Sequence, residues 1–164
     1  MGYDGPLEEP AMSVAFRRDS DEEHLEPKFE LPIPAGPNLV TARGLALIGA
    51  RVAELGAQLQ QTSDAEARTA IARDLRYWTT RQITAELAPV PRGDRADFGT
   101  RVDVLLGGKP RTFTIVGDDE SDPAAGLISF KAPLSRAMLG AEVGEVLPFA
   151  GVSEAIEIIA IAVA

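Results

Sequence analysis

The sequence predicts an α+β protein in which an antiparallel helical hairpin, or coiled coil, precedes a small β-sheet domain with one helix. Two patterns along the 164 residues carry this prediction. In the middle of the chain apolar residues recur every three or four positions, the period of a helix face. After residue 99 they recur every second position, the period of a strand. We therefore divide the chain into an arm at 1–37, a hairpin at 38–88 and a C-terminal domain at 89–164.

Residues 1–37 are predicted to be a flexible acidic arm. They carry six of the twelve prolines, with nine acids and three bases. Such a composition buries too little apolar surface to offset the entropy lost on ordering. Met1 and Met12 are both compatible with the start of the protein. His24 lies in this arm, and a zinc site or catalytic triad cannot be built from it, because the chain has no cysteine and no second histidine.

The hairpin is predicted from two apolar stripes. The first lies on a helix over 41–61, with Thr41 as its N-cap and a 3, 4, 3, 4 spacing that forms a heptad seam. The second lies on a helix over 64–87. Two helices joined by a short turn pack antiparallel, here over about 30 Å. The stripes are Leu45, Ile48, Val52, Leu55 and Leu59, then Ala67, Ile71, Leu75, Trp78, Ile83 and Leu87.

The C-terminal domain is predicted to be a small sheet with one short helix. The strand segments are TRVDVLL, RTFTIV, LISFK, EVLPF and EAIEIIAIAV. The helix spans 133–140 and ends at Gly140. Its apolar residues Leu134, Met138 and Leu139 should be buried, which leaves Ser135 and Arg136 facing outward.

Composition excludes several classes of function. With no cysteine there is no disulfide framework, thiolate zinc site or cysteine nucleophile, which fits a reducing cytoplasm. No apolar run approaches the roughly 18 residues that span a bilayer, so we expect no membrane partner. The net charge of −9 argues against coating of nucleic acid. Only residues 41–88, with six arginines and five acids, could meet a phosphate-rich partner without strong repulsion.

The predicted hairpin tip carries two carboxylates, Asp64 and Glu66. They could complete a metal site on another macromolecule. The interpretation that we favour is local, because Ser63 and Glu66 have the spacing of a capping box and Asp64 suits the positive end of the helix.

Four arginines follow on the second predicted helix, at positions 68, 73, 76 and 81. They could face a phosphate backbone, with Arg68, Arg73 and Arg76 the candidates for facing RNA. They could equally form the solvated face, with Asp64 and Arg68 as an i,i+4 pair. The residues leave both open.

An acidic cluster at 118–122 contains Asp118, Asp119, Glu120 and Asp122. A hard cation could bind there, but the ligand spacing of a calcium loop is absent. We interpret the cluster as a solvated turn between two strands, begun by Asp122 and Pro123.

The order of hairpin and sheet, together with particular motifs, resembles the GreA/GreB family of bacterial transcription elongation factors. The most specific stretch is TIVGDDESDPAAGLISFKAPLSRAMLGAEVGEVLPF at 114–149. LVTARG at 39–44 is similar to the family's first helix, and RYWTTR at 76–81 to the second helix of the GreB branch. The resemblance covers roughly 38–164. Aligning the flanks leaves each helix about nine residues shorter than in the family, about 13 Å less reach.

The resemblance implies a fold, a partner and a site of action. The C-terminal domain would be FKBP-like and would dock on core RNA polymerase at the rim of its secondary channel. The hairpin would enter the channel, where Asp64 and Glu66 would be presented to the polymerase's Mg²⁺ and cleavage of backtracked nascent RNA would be stimulated in the DNA-bound complex. The protein would then be a monomeric, non-enzymatic factor with no metal or cofactor of its own. The docking residues would be Ile128, Ser129, Pro133, Leu134 and Arg136.

Three alternatives remain open from the sequence. The hairpin could occupy the channel without stimulating cleavage. The FKBP-like domain could be a peptidyl-prolyl isomerase, for which Phe98, Phe113, Phe130 and Phe149 are the available aromatics. The hairpin could also be a structural adaptor that anchors another helix through Tyr77 and Trp78.

Overall fold

The structure is a computed structural model that describes residues 30–164. The predictions for most of the acidic arm, for His24 and for a start at Met1 or Met12 lie outside the described residues. Pro34–Ala164 form one compact unit, and all the elements described below belong to it. No helix within 30–164 is long and apolar enough to cross a membrane.

Two helices of 20 residues each form the hairpin, α1 at Ala42–Gln61 and α2 at Ala65–Thr84. The hydroxyl of Thr41 accepts a hydrogen bond from the Gly44 backbone N–H at 2.9 Å, so the predicted cap of α1 is confirmed. Helix α2 begins one residue later than predicted. Asp64, not Ser63, is its N-cap and accepts from the Ala67 backbone N–H at 2.9 Å.

The seam between the helices is apolar, as the heptad spacing predicts. Ile48 and Leu55 on α1 are 1% and 2% exposed. The predicted continuation of the second helix to Leu87 is wrong, because the chain leaves the helix after Thr84. Strand β2, Glu86–Leu87, pairs in parallel with β1, Leu39–Val40. Leu87 lies beyond the helix and is exposed, and Ile83, five residues after Trp78, is exposed within α2 because that spacing takes it off the seam face.

The C-terminal domain is a five-stranded sheet, and its strands fall where the alternation predicts them. They are β3 at Thr100–Leu106, β4 at Lys109–Val116, β5 at Leu127–Ser129, β6 at Val146–Phe149 and β7 at Val152–Val163. The spatial order is β5-β4-β3-β7-β6, with β4 and β5 parallel and the other neighbours antiparallel. One face carries the core, which includes Val102, Ile115, Ile128, Met138 and Ile156. The α+β fold class, with a helical hairpin before a small sheet domain, is confirmed.

The short helix α3 spans Pro133–Met138 and packs on β6. Met138 is fully buried, as predicted. The prediction for two neighbours is wrong: Ser135 is 0% exposed and Leu139 is 40% exposed. The helix ends at Met138, so Leu139 is its C-cap in the turn that follows and no longer lies on the buried face.

Candidate functional site

The hairpin tip presents Asp64 and Glu66 to solvent, at the first turn of α2. One carboxylate oxygen of Asp64, Oδ2, is already engaged by the Ala67 backbone N–H. Both acids lie at the positive end of the helix, which favours negative charge there. A carboxylate at the tip therefore caps α2, which is the local role that the sequence favoured. The capping residue is Asp64, one position after the predicted Ser63.

Arg68, in the first turn of α2, hydrogen-bonds to the backbone at the end of α1. Its Nη1 donates to the backbone carbonyls of Leu59, at 2.5 Å, and Thr62, at 2.8 Å. These carbonyls belong to the last turn of α1, where no intrahelical donor is available. The predicted pair between Asp64 and Arg68 is not among the ion pairs formed within residues 30–164. Arg68 thus ties α2 to the end of α1.

The remaining arginines of α2 have different surroundings. Arg73 contacts the carboxylate of its neighbour Asp74 at 3.3 Å. Arg76 is exposed. Arg81 is only 1% exposed and contacts other parts of the chain, so the interpretation of Arg81 as phosphate-facing or solvated is wrong. Contact with RNA by the other arginines stays a prediction.

The acidic cluster is not a solvated loop, and that interpretation is wrong for three of its four members. Asp118–Glu120 form a single 3₁₀ turn, and the side chains of Asp118, Asp119 and Glu120 are 16%, 7% and 5% exposed. Asp122 does begin a turn, which Pro123 continues. Each buried carboxylate is held by basic or hydroxyl groups of the chain itself. Within residues 30–164 no three acidic or histidine side chains are grouped in a way that could hold a metal ion.

This turn joins the base of the hairpin to the sheet domain through three sets of bonds. We call the residues that form them the clasp: Asn38, Thr41, Arg43, Tyr77, Arg81, Asp118, Asp119, Glu120, Ser129 and Lys131.

The first set is centred on Arg81. Its Nε donates to Asp119 Oδ2 at 2.5 Å, and its Nη2 donates to Asn38 Oδ1 at 2.7 Å. The other carboxylate oxygen of Asp119 accepts from the Tyr77 hydroxyl at 2.6 Å. Burial raises the pKa of the Tyr77 phenol, and the hydrogen bond to Asp119 raises it further. The Tyr77 hydroxyl thus donates to a residue of the same chain. The adaptor alternative, in contrast, uses Tyr77 as an anchor for a partner helix.

The second set holds the start of α1. Glu120 accepts from the Thr41 hydroxyl at 2.5 Å and from Arg43 Nη1 at 2.9 Å. A carboxylate suits the N-terminal end of a helix, where backbone N–H groups are unpaired. Gly44 leaves room for this carboxylate, because a Cβ on that residue would lie 2.8 Å from Glu120 Oε1 and would displace it.

The third set lies on the sheet side of the turn. Asp118 accepts from the Ser129 hydroxyl at 2.6 Å and from Lys131 Nζ at 2.7 Å. Arg81 Nη2 lies 3.6 Å from the same carboxylate. Burial alone would raise the pKa of Asp118. The hydrogen bonds from Lys131 and Ser129 and the nearby positive charges outweigh burial and hold that pKa below its usual value.

The five residues predicted to dock on a partner do not form one exposed patch. Ile128 belongs to the core at 7% exposure, and Ser129 is engaged by Asp118. Leu134 is half-buried, whereas Pro133 and Arg136 are exposed on α3. Only the last two offer their side chains freely, and Leu139 joins them at the exposed end of the helix.

A cavity of about 520 Å³ lies beside the clasp, between the start of α1, the segment after β2 and the sheet. Phe98 is the one aromatic side chain among the described residues that line it. Phe98 and Phe130 pack edge to face with ring centres 5.4 Å apart, and Phe113 is 5% exposed. The isomerase alternative stays untested.

Taken together, fold and site define a two-part α+β protein in which a helical rod with an acidic tip is fastened to a small sheet domain by buried ion pairs. Residues 91–163 match the family model described as "Transcription elongation factor, GreA/GreB, C-term". Over this C-terminal stretch the chain is therefore similar to the GreA/GreB transcription elongation factors.

Curated proteins of the same description are similar to parts of the chain. Transcription elongation factor GreA of Desulfovibrio desulfuricans is 46% identical over 55 residues, which cover 32% of this chain and 34% of the relative. GreA of Rhizobium leguminosarum bv. viciae is 36% identical over 95 residues, 57% of this chain and 58% of the relative. The chain thus spans between a third and three-fifths of these relatives. Among solved structures, GreA factor homolog 1 (Gfh1) of Thermus thermophilus matches at 16% identity and a TM-score of 0.37, covering 77% of this chain and 99% of that one.

Proposed function

We propose that this protein binds core RNA polymerase through its C-terminal domain and inserts its hairpin into the secondary channel, where it regulates transcription elongation. The similarity of residues 91–163 to the GreA/GreB C-terminal domain supports the partner. The observation that carries the proposal is the clasp, because a rod that must enter a channel has to be held firmly by the domain that docks. The protein acts as a monomer in the cytoplasm and contacts nascent RNA only indirectly.

The mode of action that the geometry favours is occupancy of the channel without catalysis. Cleavage stimulation would need tip carboxylates that reach the polymerase's Mg²⁺, either directly at about 2.0–2.1 Å or through one water. Each helix has 20 residues, or about 30 Å. One oxygen of Asp64 is also committed to its own helix as a cap. In this proposal the protein is a non-enzymatic factor without a cofactor of its own, and any Mg²⁺ at its tip would belong to the polymerase.

A cleavage assay on a stalled, backtracked complex separates the two modes. The variants Asp64→Asn and Glu66→Gln remove the charges, and Asn keeps the capping ability of Asp. We expect the parent protein to slow elongation without accelerating cleavage, and both variants to behave like the parent. Exposed Ser63, between the helices, provides the control Ser63→Ala. Accelerated cleavage by the parent that is lost in the charge variants would establish the catalytic mode instead.

Docking is tested on the exposed part of α3. Arg136→Glu reverses an exposed charge there, whereas Arg101→Glu reverses one on the outer side of β3. We expect Arg136→Glu to weaken binding to core polymerase at least tenfold, measured by fluorescence anisotropy, and Arg101→Glu to have little effect. If the parent protein does not bind core polymerase at micromolar concentrations, the proposed function is wrong.

A further inference from the structure

Arg81 occupies an unusual place for an arginine, since it is buried at the base of the hairpin and contacts chain segments on both sides of it. We propose that Arg81 is a positioning residue that fixes the direction of the hairpin relative to the sheet domain, and so decides where the tip lies. The consequence for polymerase rests on the proposed function. The structural part does not.

The bonds of Arg81 join three separate parts of the chain. Arg81 lies in the last turn of α2, Asn38 lies just before β1, and Asp119 lies in the turn that follows β4. A guanidinium group is planar, and its donors point in fixed directions. Bonds from Nε to one partner and from Nη2 to another therefore fix the orientation of α2 as well as its distance from the sheet domain.

The partners of Arg81 are themselves held in place. A second hydrogen bond fixes the orientation of the Asn38 side chain: its Nδ2 donates to the Arg81 backbone carbonyl at 2.8 Å. Asp119 also accepts from Tyr77, one helical turn before Arg81. Positions i and i+4 lie on the same helix face, so Asp119 bonds to α2 at two points along its axis, Tyr77 and Arg81. Two points along an axis resist tilting, which a single contact cannot do.

A small change in the direction of the hairpin at its base produces a large displacement of its tip. The far end of the hairpin lies about 30 Å from its base, so a tilt of about 10° would displace the tip by about 5 Å. Lysine cannot replace arginine in this role, because its single ammonium group has no rigid fork with which to bridge Asp119 and Asn38. The substitution Arg81→Lys therefore keeps the positive charge and removes the fixed geometry.

Spin-label distances test the structural part directly. The chain contains no cysteine, so labels attach only where cysteines are introduced, here Gln60→Cys near the tip and Lys109→Cys at the start of β4. We expect Arg81→Lys to broaden the distance distribution between the labels at least twofold while circular dichroism keeps the helix content. The control Arg51→Lys makes the same change on α1, where Arg51 pairs with Glu54 across one turn at 2.7 Å, and should leave the distribution unchanged.

A folded Arg81→Lys variant with a distribution as narrow as the parent's would overturn the proposal. If Arg81→Lys does not fold, Tyr77→Phe decides, because it removes only the hydroxyl that donates to Asp119. We expect Tyr77→Phe to broaden the distribution measurably, and an unchanged width in that variant would refute the positioning role.

Polymerase assays then test the consequence. We expect Arg81→Lys to bind core polymerase with a half-saturating concentration within twofold of the parent's, because docking belongs to the sheet domain. Its maximal effect on elongation should fall at least threefold, because the tip is no longer directed into the channel. A loss of affinity with an unchanged maximal effect would contradict this. Failure of the parent itself to bind polymerase would refute the proposed function and leave the spin-label result to decide the positioning role.

Discussion

Replacing Ser135 by alanine should stabilise the protein, although it removes a polar group. Ser135 is 0% exposed on α3, and its hydroxyl oxygen has no hydrogen-bond partner. A buried hydroxyl without a partner costs about 1–3 kcal/mol relative to water, and Ser135→Ala removes that cost.

Two smaller terms adjust the expected gain. Alanine is the better helix former by up to about 0.5 kcal/mol. Loss of the oxygen leaves a void of about 10 Å³, which at about 24 cal/mol per Å³ costs about 0.2 kcal/mol. The free energy of unfolding should therefore rise by about 1–3 kcal/mol, and Tm by about 3 °C or more for a chain of this size.

Urea unfolding followed by circular dichroism measures this change, with scanning calorimetry as a second readout. Ser153→Ala, at an exposed position of β7, is the matched control and should alter stability by less than about 0.5 kcal/mol. A clear loss of stability in Ser135→Ala would mean that the hydroxyl makes a bond in solution, and the reasoning from its isolation would fail.

Two further substitutions test the turn that carries the clasp. Gly117→Ala should destabilise the protein by about 1–3 kcal/mol in urea unfolding, because the added Cβ would overlap the backbone carbonyl oxygen of Leu39, which cannot move without disturbing β1. Asp118→Asn should lower the free energy of unfolding at pH 7. Because the pKa of Asp118 is lower in the folded protein than in the unfolded chain, its contribution is fully present above the ordinary carboxyl pKa of about 3.9 and disappears as the pH falls through the folded value.

Each of these has a control of the same chemical type. Gly56→Ala adds a Cβ that would contact nothing within 4 Å, in the middle of α1, and should stabilise by up to about 1 kcal/mol. Asp122→Asn changes an exposed acid in the same loop and should have little effect at any pH. Equal losses in Gly117→Ala and Gly56→Ala would contradict the steric argument. A difference between Asp118→Asn and the parent that persists unchanged well below pH 3 would contradict the electrostatic one.

The elements that could be predicted from the sequence are those with local causes. The heptad spacing and the Thr41 cap define α1 within a few neighbouring residues, and the predicted start holds. The end of α2 could not be predicted from its neighbouring residues. The apolar residues Ile83 and Leu87 suggested a longer helix, yet the chain turns into a strand because Glu86 and Leu87 pair with residues more than 40 positions earlier. Pairing between residues so far apart in sequence cannot be detected from the residue pattern within a single helix.

The clasp was missed for the same reason, since the basic partners of the acidic turn come from far along the chain. One signal was nevertheless present in the sequence. Arg81 follows Trp78 by three residues and so falls on the stripe that faces the hairpin seam. A charged residue at a position expected to be buried implies a partner of opposite charge. The acids of an unexplained cluster such as 118–120 were the natural candidates, but only the fold shows which of them it meets.

The clasp also explains why this joint is built from charges when an apolar contact would be easier to stabilise. Replacing a buried ion pair by apolar residues of similar volume is often neutral or stabilising, so net stability is a weak reason for burying Arg81. An apolar contact is non-directional and tolerates small rotations. Hydrogen bonds weaken steeply when donor and acceptor are misaligned, and a buried group that loses its partner is costly. Rotation of α2 against the sheet domain would misalign Asp119 with both Arg81 and Tyr77 at once, so the joint penalises rotation more than an apolar contact of equal stability would.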